Sequence, residues 1–252
     1  MKRAEVPTNE AERLVAVHEY RELAGWVQAS LDDITAIAAL LFGAPAAAIG
    51  FVEQDQECFQ SQTGLDATAI SRDDSFSAHV ILGSEVLVVS DASRDERFAD
   101  AGFRFYAGVP LTTPGGHALG ALRVMDQVPR EASSNAVRAL EALGRQAMEQ
   151  LESRRNLAAF ERAAADQKRV ESHLKTQYAV SRILAESSKL SDATPKILKA
   201  ICQSLAWEHG ALWILDRKAN VLRCLETWHT SHAEFAQFEA LNRRTEFLLG
   251  TG

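Results

Sequence analysis

The groups in this sequence with chemistry to offer are three thiols, one histidine beside a serine, and a set of aromatic side chains. Cys58, Cys202 and Cys224 are odd in number and far apart, so they form neither a zinc-ligand pattern nor a disulfide framework. Thiols so placed usually serve as small buried apolar groups. His79, directly after Ser77-Ala78, could meet a ligand or a haem through its ring, although a histidine on a short helix is more often a hydrogen-bonded core or rim residue. Phe51, Phe59, Phe76, Phe98, Phe105 and Tyr106 can line an apolar cavity in which Asp91 and His79 are the polar groups, or can simply fill a core. Nothing here assembles a catalytic constellation, so no catalytic residue and no metal ligand is assigned.

The elements that must position these residues follow from hydropathy patterns. A helix is expected over residues 9–23, with Asn9 and Glu12 as a capping-box-like pair and Leu14, Val17 and Leu23 as its stripe. A second helix, starting after Ser30, should bury Ile34, Ile37, Leu40 and Leu41 before Gly43 stops it. Residues 46–52 and 57–63 read as antiparallel strands, the first apolar on both faces and therefore covered on both sides. A short helix near 75–82, a strand at 85–89 and a polar loop come next. Residues 103–111 and 117–125 then form a hairpin across Thr113-Pro114-Gly115-Gly116. A long helix is expected over 134–187. Leu140, Leu143, Ala147 and Leu151 recur in it at steps of three and four, while residues 152–169 are mostly charged or alanine. Together with Leu14 and Val17 they predict the seam of a parallel homodimer with a weak centre, the alternative being a solvated spacer helix.

The front half is told a second time. Helix, turn, apolar strand, polar turn and strand recur from residue 196, at an offset of about 164 residues, which suits a duplicated domain rather than a solenoid. At that offset Gly252 falls near Val88 of the first copy, so the second domain is expected to lack its second half and the chain to be the front of something longer. The expected boundaries are 1–24 for the opening dimerisation helix, 25–150 for the first domain, 151–186 for the linker helix and 187–252 for the partial copy. A net charge of −7 over 252 residues, with both signs interspersed, argues against a nucleic-acid face. No stretch suits a membrane span and no apolar region follows Lys2-Arg3, so a cytoplasmic protein is expected.

Leu31-Asp32-Asp33-Ile34, Ser75-Phe76-Ser77-Ala78-His79-Val80-Ile81, Asp91-Ala92, Arg97-Phe98-Ala99-Asp100 and Phe105-Tyr106-Ala107-Gly108-Val109-Pro110-Leu111 occur in this order. With Asn9-Glu10-Ala11-Glu12-Arg13-Leu14 before them and Ala118-Leu119-Gly120 after, they make residues 9–150 resemble bacterial GAF sensor domains. Such domains often precede histidine kinase, PAS or diguanylate cyclase modules. Residues 187–252 look like the opening of a second GAF domain, with Leu249-Gly250-Thr251-Gly252 where relatives continue. The resemblance implies an α+β fold: a central antiparallel sheet with the terminal helices on one face and a small-molecule pocket on the other, under residues 70–105. Only Ala101 and Gly102 separate Asp100 from Phe103, shorter than in relatives, which implies a thinner pocket wall. The implied function is sensing of a small molecule or redox state, in a two-component or related pathway, that regulates a downstream module through the helical linker. A ligand-free dimerisation scaffold is the alternative.

Several family chemistries fit poorly. Ser77 stands where bilin-binding relatives carry Cys, so covalent bilin is not expected and the cofactor stays open. Phe98-Ala99-Asp100 lacks the charge pattern of the cyclic-nucleotide binders, and Cys58, alone in the first domain, lacks the partner thiol of methionine sulfoxide reductases. Ser172-His173-Leu174-Lys175-Thr176 has no acid after its histidine and is not a kinase phosphoacceptor box.

Overall fold

A computed structural model describes residues 1–99, 102–231 and 233–248, with residues 233, 234 and 236 described by backbone alone. Asp100, Ala101 and Leu249-Gly250-Thr251-Gly252, all named above, lie outside the described residues. The chain divides into two compact units, Met1–Ala159 and Phe160–Gly252.

Unit 1 is built on a sheet whose inner strands are apolar at nearly every position, and such strands are stable only when both faces are covered. Its strands are β1 (Ala46–Val52), β2 (Gln56–Thr63), β3 (Ala69–Ser71), β4 (Leu87–Val89), β5 (Phe105–Thr112) and β6 (Ala118–Asp126). They lie in the order β3-β2-β1-β6-β5-β4 with every neighbouring pair antiparallel. All positions of β1 and β6 are buried. On one face α1 (Glu10–Ala24), α2 (Gln28–Phe42) and the start of α4 (Ser134–Glu186) bring Val17, Leu31, Ile34, Leu140 and Leu151 against Phe51, Phe105 and Leu122. On the other face α3 (Ser77–Val80) and the irregular segments around it bring Phe76, Val80 and Phe98 against Tyr106 and Met125. The mixed helix-and-sheet fold, the central antiparallel sheet, the helical face and the long helix are thus as the sequence suggests.

Three local expectations are corrected. The Asn9 side chain makes no capping bond; its amide lies 3.5 Å from His117 Nδ1 instead. In α2 the buried stripe is Leu31, Ile34, Thr35, Ala38 and Ala39, whereas Ile37, Leu40 and Leu41 are exposed. Gly43, at φ 56°, does end this helix in the left-handed conformation that glycine adopts without strain. The third correction concerns the dimer seam. Val17, Leu140, Ala147 and Leu151 are fully or almost fully buried in the core of their own unit, Leu143 packs against that core, and Leu14 is half-buried. The stripe that looked unpartnered along the helix has its partner in β1, β5 and β6 of the same chain.

Unit 2 contains α5 (Leu190–Ser204), β7 (His209–Asp216), β8 (Val221–His229), α6 (Ala233–Arg244) and β9 (Glu246–Leu248). Its three strands lie in the order β7-β8-β9. The α5-β7-β8 succession repeats α2-β1-β2, and both hairpins carry a register shift, opposite Ile49 and Gly50 in one and opposite Leu212 and Trp213 in the other, where the second strand has one extra residue. Those positions are related by nearly the offset read from the sequence. β9 was not foreseen, and among the described residues this unit has three strands where unit 1 has six.

Candidate functional site

The site lies on the face of the unit 1 sheet opposite the helices. β2 and β6 lie on either side of β1, and β3 adds to the far edge of β2. Phe59 comes from β2, Ile70 from β3 and Met125 from β6, while Leu65, Phe76 and Phe103 come from the connecting segments. Together they enclose most of a cavity of about 530 Å³, with Asp66, Ser71, Asp74 and Arg123 as the main polar members of its wall. That volume lies in the usual range of small-molecule sites. Met1 also reaches the wall, and its segment is fastened beside it. Lys2 donates its backbone N–H to Arg97 O at 2.9 Å, His79 Nε2 lies 3.1 Å from Lys2 O, and Arg3 pairs with Asp73 at 3.1 Å.

Arg123 is the unusual member. It sits in the middle of β6, is 2% exposed, and pairs with Glu57 of β2, which is fully buried. Its Nη1 donates to Glu57 Oε2 at 2.5 Å and to Ser77 Oγ at 3.0 Å, and its guanidinium lies over the Phe59 ring at 4.6 Å. Ser75 Oγ donates to the same Glu57 oxygen at 2.5 Å, and Ser77 Oγ lies 3.3 Å from the Tyr106 hydroxyl. Complete burial holds the Tyr106 phenol far above its usual range, so it stays protonated. Gly50 makes room for this cluster: a Cβ there would stand 1.9 Å from Glu57 Oε1. Two atoms are nevertheless left over. Glu57 Oε1 and Arg123 Nε are buried without a hydrogen-bond partner among the described residues. Unmatched polar atoms of this kind are rare in folded proteins because their lost hydration is not replaced.

The residues singled out from the sequence part company here. Phe59 and Phe76 line the cavity, and Phe76 stacks between Phe98 at 4.3 Å and Tyr106 at 4.7 Å. Phe98 and Tyr106 therefore back the wall without forming it. Phe51 and Phe105 belong to the opposite, helix-side core and cannot reach a ligand here. Asp91 is spent on structure, accepting from Ser93 N at 3.1 Å and from Arg104 Nε at 2.9 Å; these bonds, that of Ser93 first, hold its carboxyl below the usual range. His79 stands edge-on to Phe98 at 4.9 Å, and burial pushes its ring toward the neutral form against the raising effect of the Lys2 carbonyl. Arg123, Glu57 and Ser75 were missed. The signal was an arginine inside the otherwise apolar run Leu119-Met125, in a strand with no solvent-facing side.

Ser77 Oγ is fully buried and committed to Arg123 and Tyr106. A hydroxyl near its ordinary pKa is also a poor nucleophile beside a thiolate. Coexpression with bilin-synthesis enzymes is therefore expected to give a colourless protein with no zinc-fluorescent band on a denaturing gel; such a band would contradict this assignment of Ser77. Among the described residues no cluster of His, Cys, Asp or Glu side chains could hold a metal ion, and no helix is long and apolar enough to cross a membrane.

Comparison with known proteins places these observations. The GAF domain family matches residues 27–151. A cyclic di-GMP phosphodiesterase of Pseudomonas aeruginosa is 37% identical over 131 residues, which cover 49% of this chain and 22% of that protein. The chain thus spans well under half the length of this curated relative. Among solved structures, the GAF domain from an Acinetobacter phosphoenolpyruvate-protein phosphotransferase is similar at 18% identity and a TM-score of 0.46, over 59% of this chain and 98% of that one. A free methionine-R-sulfoxide reductase from Neisseria meningitidis is similar at 17% identity and a TM-score of 0.45, over 62% and 98% of the two chains.

Proposed function

Residues 27–151 of this chain are a GAF domain, and from that premise we propose that the chain is the sensing input of a bacterial signalling protein. A small molecule enters the cavity bounded by β2, β3 and β6 and biases the packing of unit 1. α4 carries the difference toward an output. The observation that supports this most is the cavity itself, of about 530 Å³, with the buried Arg123 on its wall. β6 is the element that links the two faces, because Arg123 and Met125 meet the cavity while Leu122 and Val124 meet the helix-side core that holds Leu140 and Leu151 of α4. A ligand shifts such an equilibrium only by binding one packing better than the other, so the wall residues must differ between the two states.

The output proposed is an enzyme of cyclic di-GMP turnover, on the strength of the 37% identity to a cyclic di-GMP phosphodiesterase. The chain itself is read as non-catalytic: the Cys58 thiol is pushed up by burial and by nearby Glu53, away from the thiolate that redox or nucleophilic chemistry needs. A cytoplasmic location and a homodimer belong to the same reading, with the dimer surface lying outside the buried stripe of α1 and α4.

Native mass spectrometry of protein purified from its own host tests the sensing role. Wild-type protein is expected to carry a small-molecule adduct that Ile70→Trp, which fills the cavity, does not. Identical spectra for the two proteins would count against a ligand in this cavity.

A further inference from the structure

The wall of the cavity also says what kind of molecule it takes. Resting on the reading that this cavity binds a ligand, we propose that the ligand is a small planar, largely apolar molecule that presents a carboxylate or carboxamide oxygen to Arg123 and carries at most one negative charge. The planar apolar body follows from the wall, in which the rings of Phe59 and Phe103 stand beside Leu65, Ile70 and Met125, and Phe76, whose faces are taken by Phe98 and Tyr106, offers its edge. The oxygen follows from Arg123. A guanidinium has five N–H donors and no acceptor, so only an acceptor can satisfy what is left of it. Glu57 and Ser77 share its Nη1 and Phe59 covers one face at 4.6 Å, while Nε is closed off even from water, so an acceptor in the cavity meets the part of the side chain that forms the wall. The limit on charge follows from the same wall. Glu57 already balances Arg123, and Asp66 and Asp74 add two carboxylates to the lining, against which stands the ammonium of Met1. A phosphate ester would bring its charge to a wall that is on balance acidic.

Four fluorinated probes of one size separate these terms by ¹⁹F NMR titration of the full chain: 4-fluorobenzamide, 4-fluorobenzoate, 4-fluorotoluene and 4-fluorophenyl phosphate. At least one of the benzamide and the benzoate is expected to bind tenfold or more tightly than the toluene, and the phosphate more weakly than the benzoate. Ile70→Trp should abolish binding of all of them. The double variant Glu57→Gln/Arg123→Met removes both charges together and leaves no buried ion unpaired. It should reduce the advantage over toluene to twofold or less while toluene itself still binds, which also reports that the cavity is folded. Equal binding of toluene, benzamide and benzoate by the wild-type protein would overturn the ligand class and leave the sensing site standing, provided Ile70→Trp abolishes it. Tightest binding of the phosphate would overturn the limit on charge. Binding unaffected by Ile70→Trp, or no binding of any probe, would overturn the class and the site together. The wild-type ranking decides the proposal even if the double variant does not fold.

Discussion

Glu10→Gln is expected to lower the stability of unit 1 by about 3 kcal/mol at neutral pH, the scale of breaking a buried ion pair from one side. Glu10 opens α1 and serves two arginines. Arg13, fully buried, donates to its Oε2 at 2.7 Å through Nε and to its Oε1 at 2.9 Å through Nη2, while its Nη1 donates to Val52 O at 2.7 Å and Ala118 O at 3.2 Å. Arg72, 8% exposed, donates to Glu10 Oε1 and, at 3.0 Å, to Glu53 O. One carboxylate therefore ties the first turn of α1 to the ends of β1 and β6 and to the segment after β3. Glutamine keeps the shape and one acceptor but leaves two buried guanidinium groups without a counter-charge. Burial by itself would push the Glu10 carboxyl up, yet the hydrogen bonds and charges of Arg13 and Arg72 outweigh it and hold the group at about 2, against 4.5 when unperturbed. A depressed carboxylate contributes stability that is present above its unfolded pKa and lost as pH falls through the folded one. The gap between wild type and Glu10→Gln, followed by urea titration with hydrogen exchange in β5 and β6, should thus be full at pH 6–7, shrink below about pH 4.5 and close near pH 2. A gap of the same size at every pH would mean that packing, not charge, is what the substitution disturbs.

The same residues show where sequence reading stopped. Runs such as Ala46–Val52 and the proline-free stretch from Ser134 were legible because one property, apolarity or helix periodicity, holds across the whole element. In α2 apolar residues occur almost all round the helix, so periodicity could not decide between the stripe of Ile34 and Ala38 and that of Ile37 and Leu41; contact with β1 and β2 decides it. β3 is only three residues long and is defined by pairing Ala69 with Cys58, a long-range fact with no local signature. The aromatic residues announced a pocket, but alternation along β5 sends Phe105 and Tyr106 to opposite faces, and only the sheet's covers tell which face holds the cavity. Arg13, Glu57, Arg72 and Arg123 carry most of the buried polar organisation. Charged residues read as solvent-facing until their partners, 39 or more positions away for the carbonyl of Val52 and 66 for Glu57, are brought alongside.

The two units should differ most in how firmly they hold their hydrogens. In unit 1 Leu111, Leu119 and Leu122 are fully buried, because α1, α2 and α4 cover one face and α3 with its neighbouring segments covers the other. In unit 2 apolar residues of the strands are only half covered: Leu212 is 38% exposed, Ile214 44%, Leu215 40% and Leu225 45%. Each such side chain forfeits part of the transfer free energy that full burial would bring, roughly 1 kcal/mol apiece for a leucine left half in water. Among the described residues this sheet of three strands also has two edges for one interior strand, so β7 and β9 each present backbone groups that no neighbouring strand pairs. Local opening is governed by these deficits in burial and pairing, not by the presence of secondary structure, and it can proceed without unfolding unit 1. Amides of residues 209–229 are therefore expected to exchange at least a hundredfold faster than those of residues 105–125 in the dilute full chain, a difference of about 3 kcal/mol in opening free energy. Protection that rises in 209–229 alone as the protein is concentrated would identify a second copy as the missing cover. Equal protection of the two segments in dilute solution would show that α5 and α6 cover β7 and β8 well enough for unit 2 to be as stable as unit 1, and would refute the inference from exposure to instability.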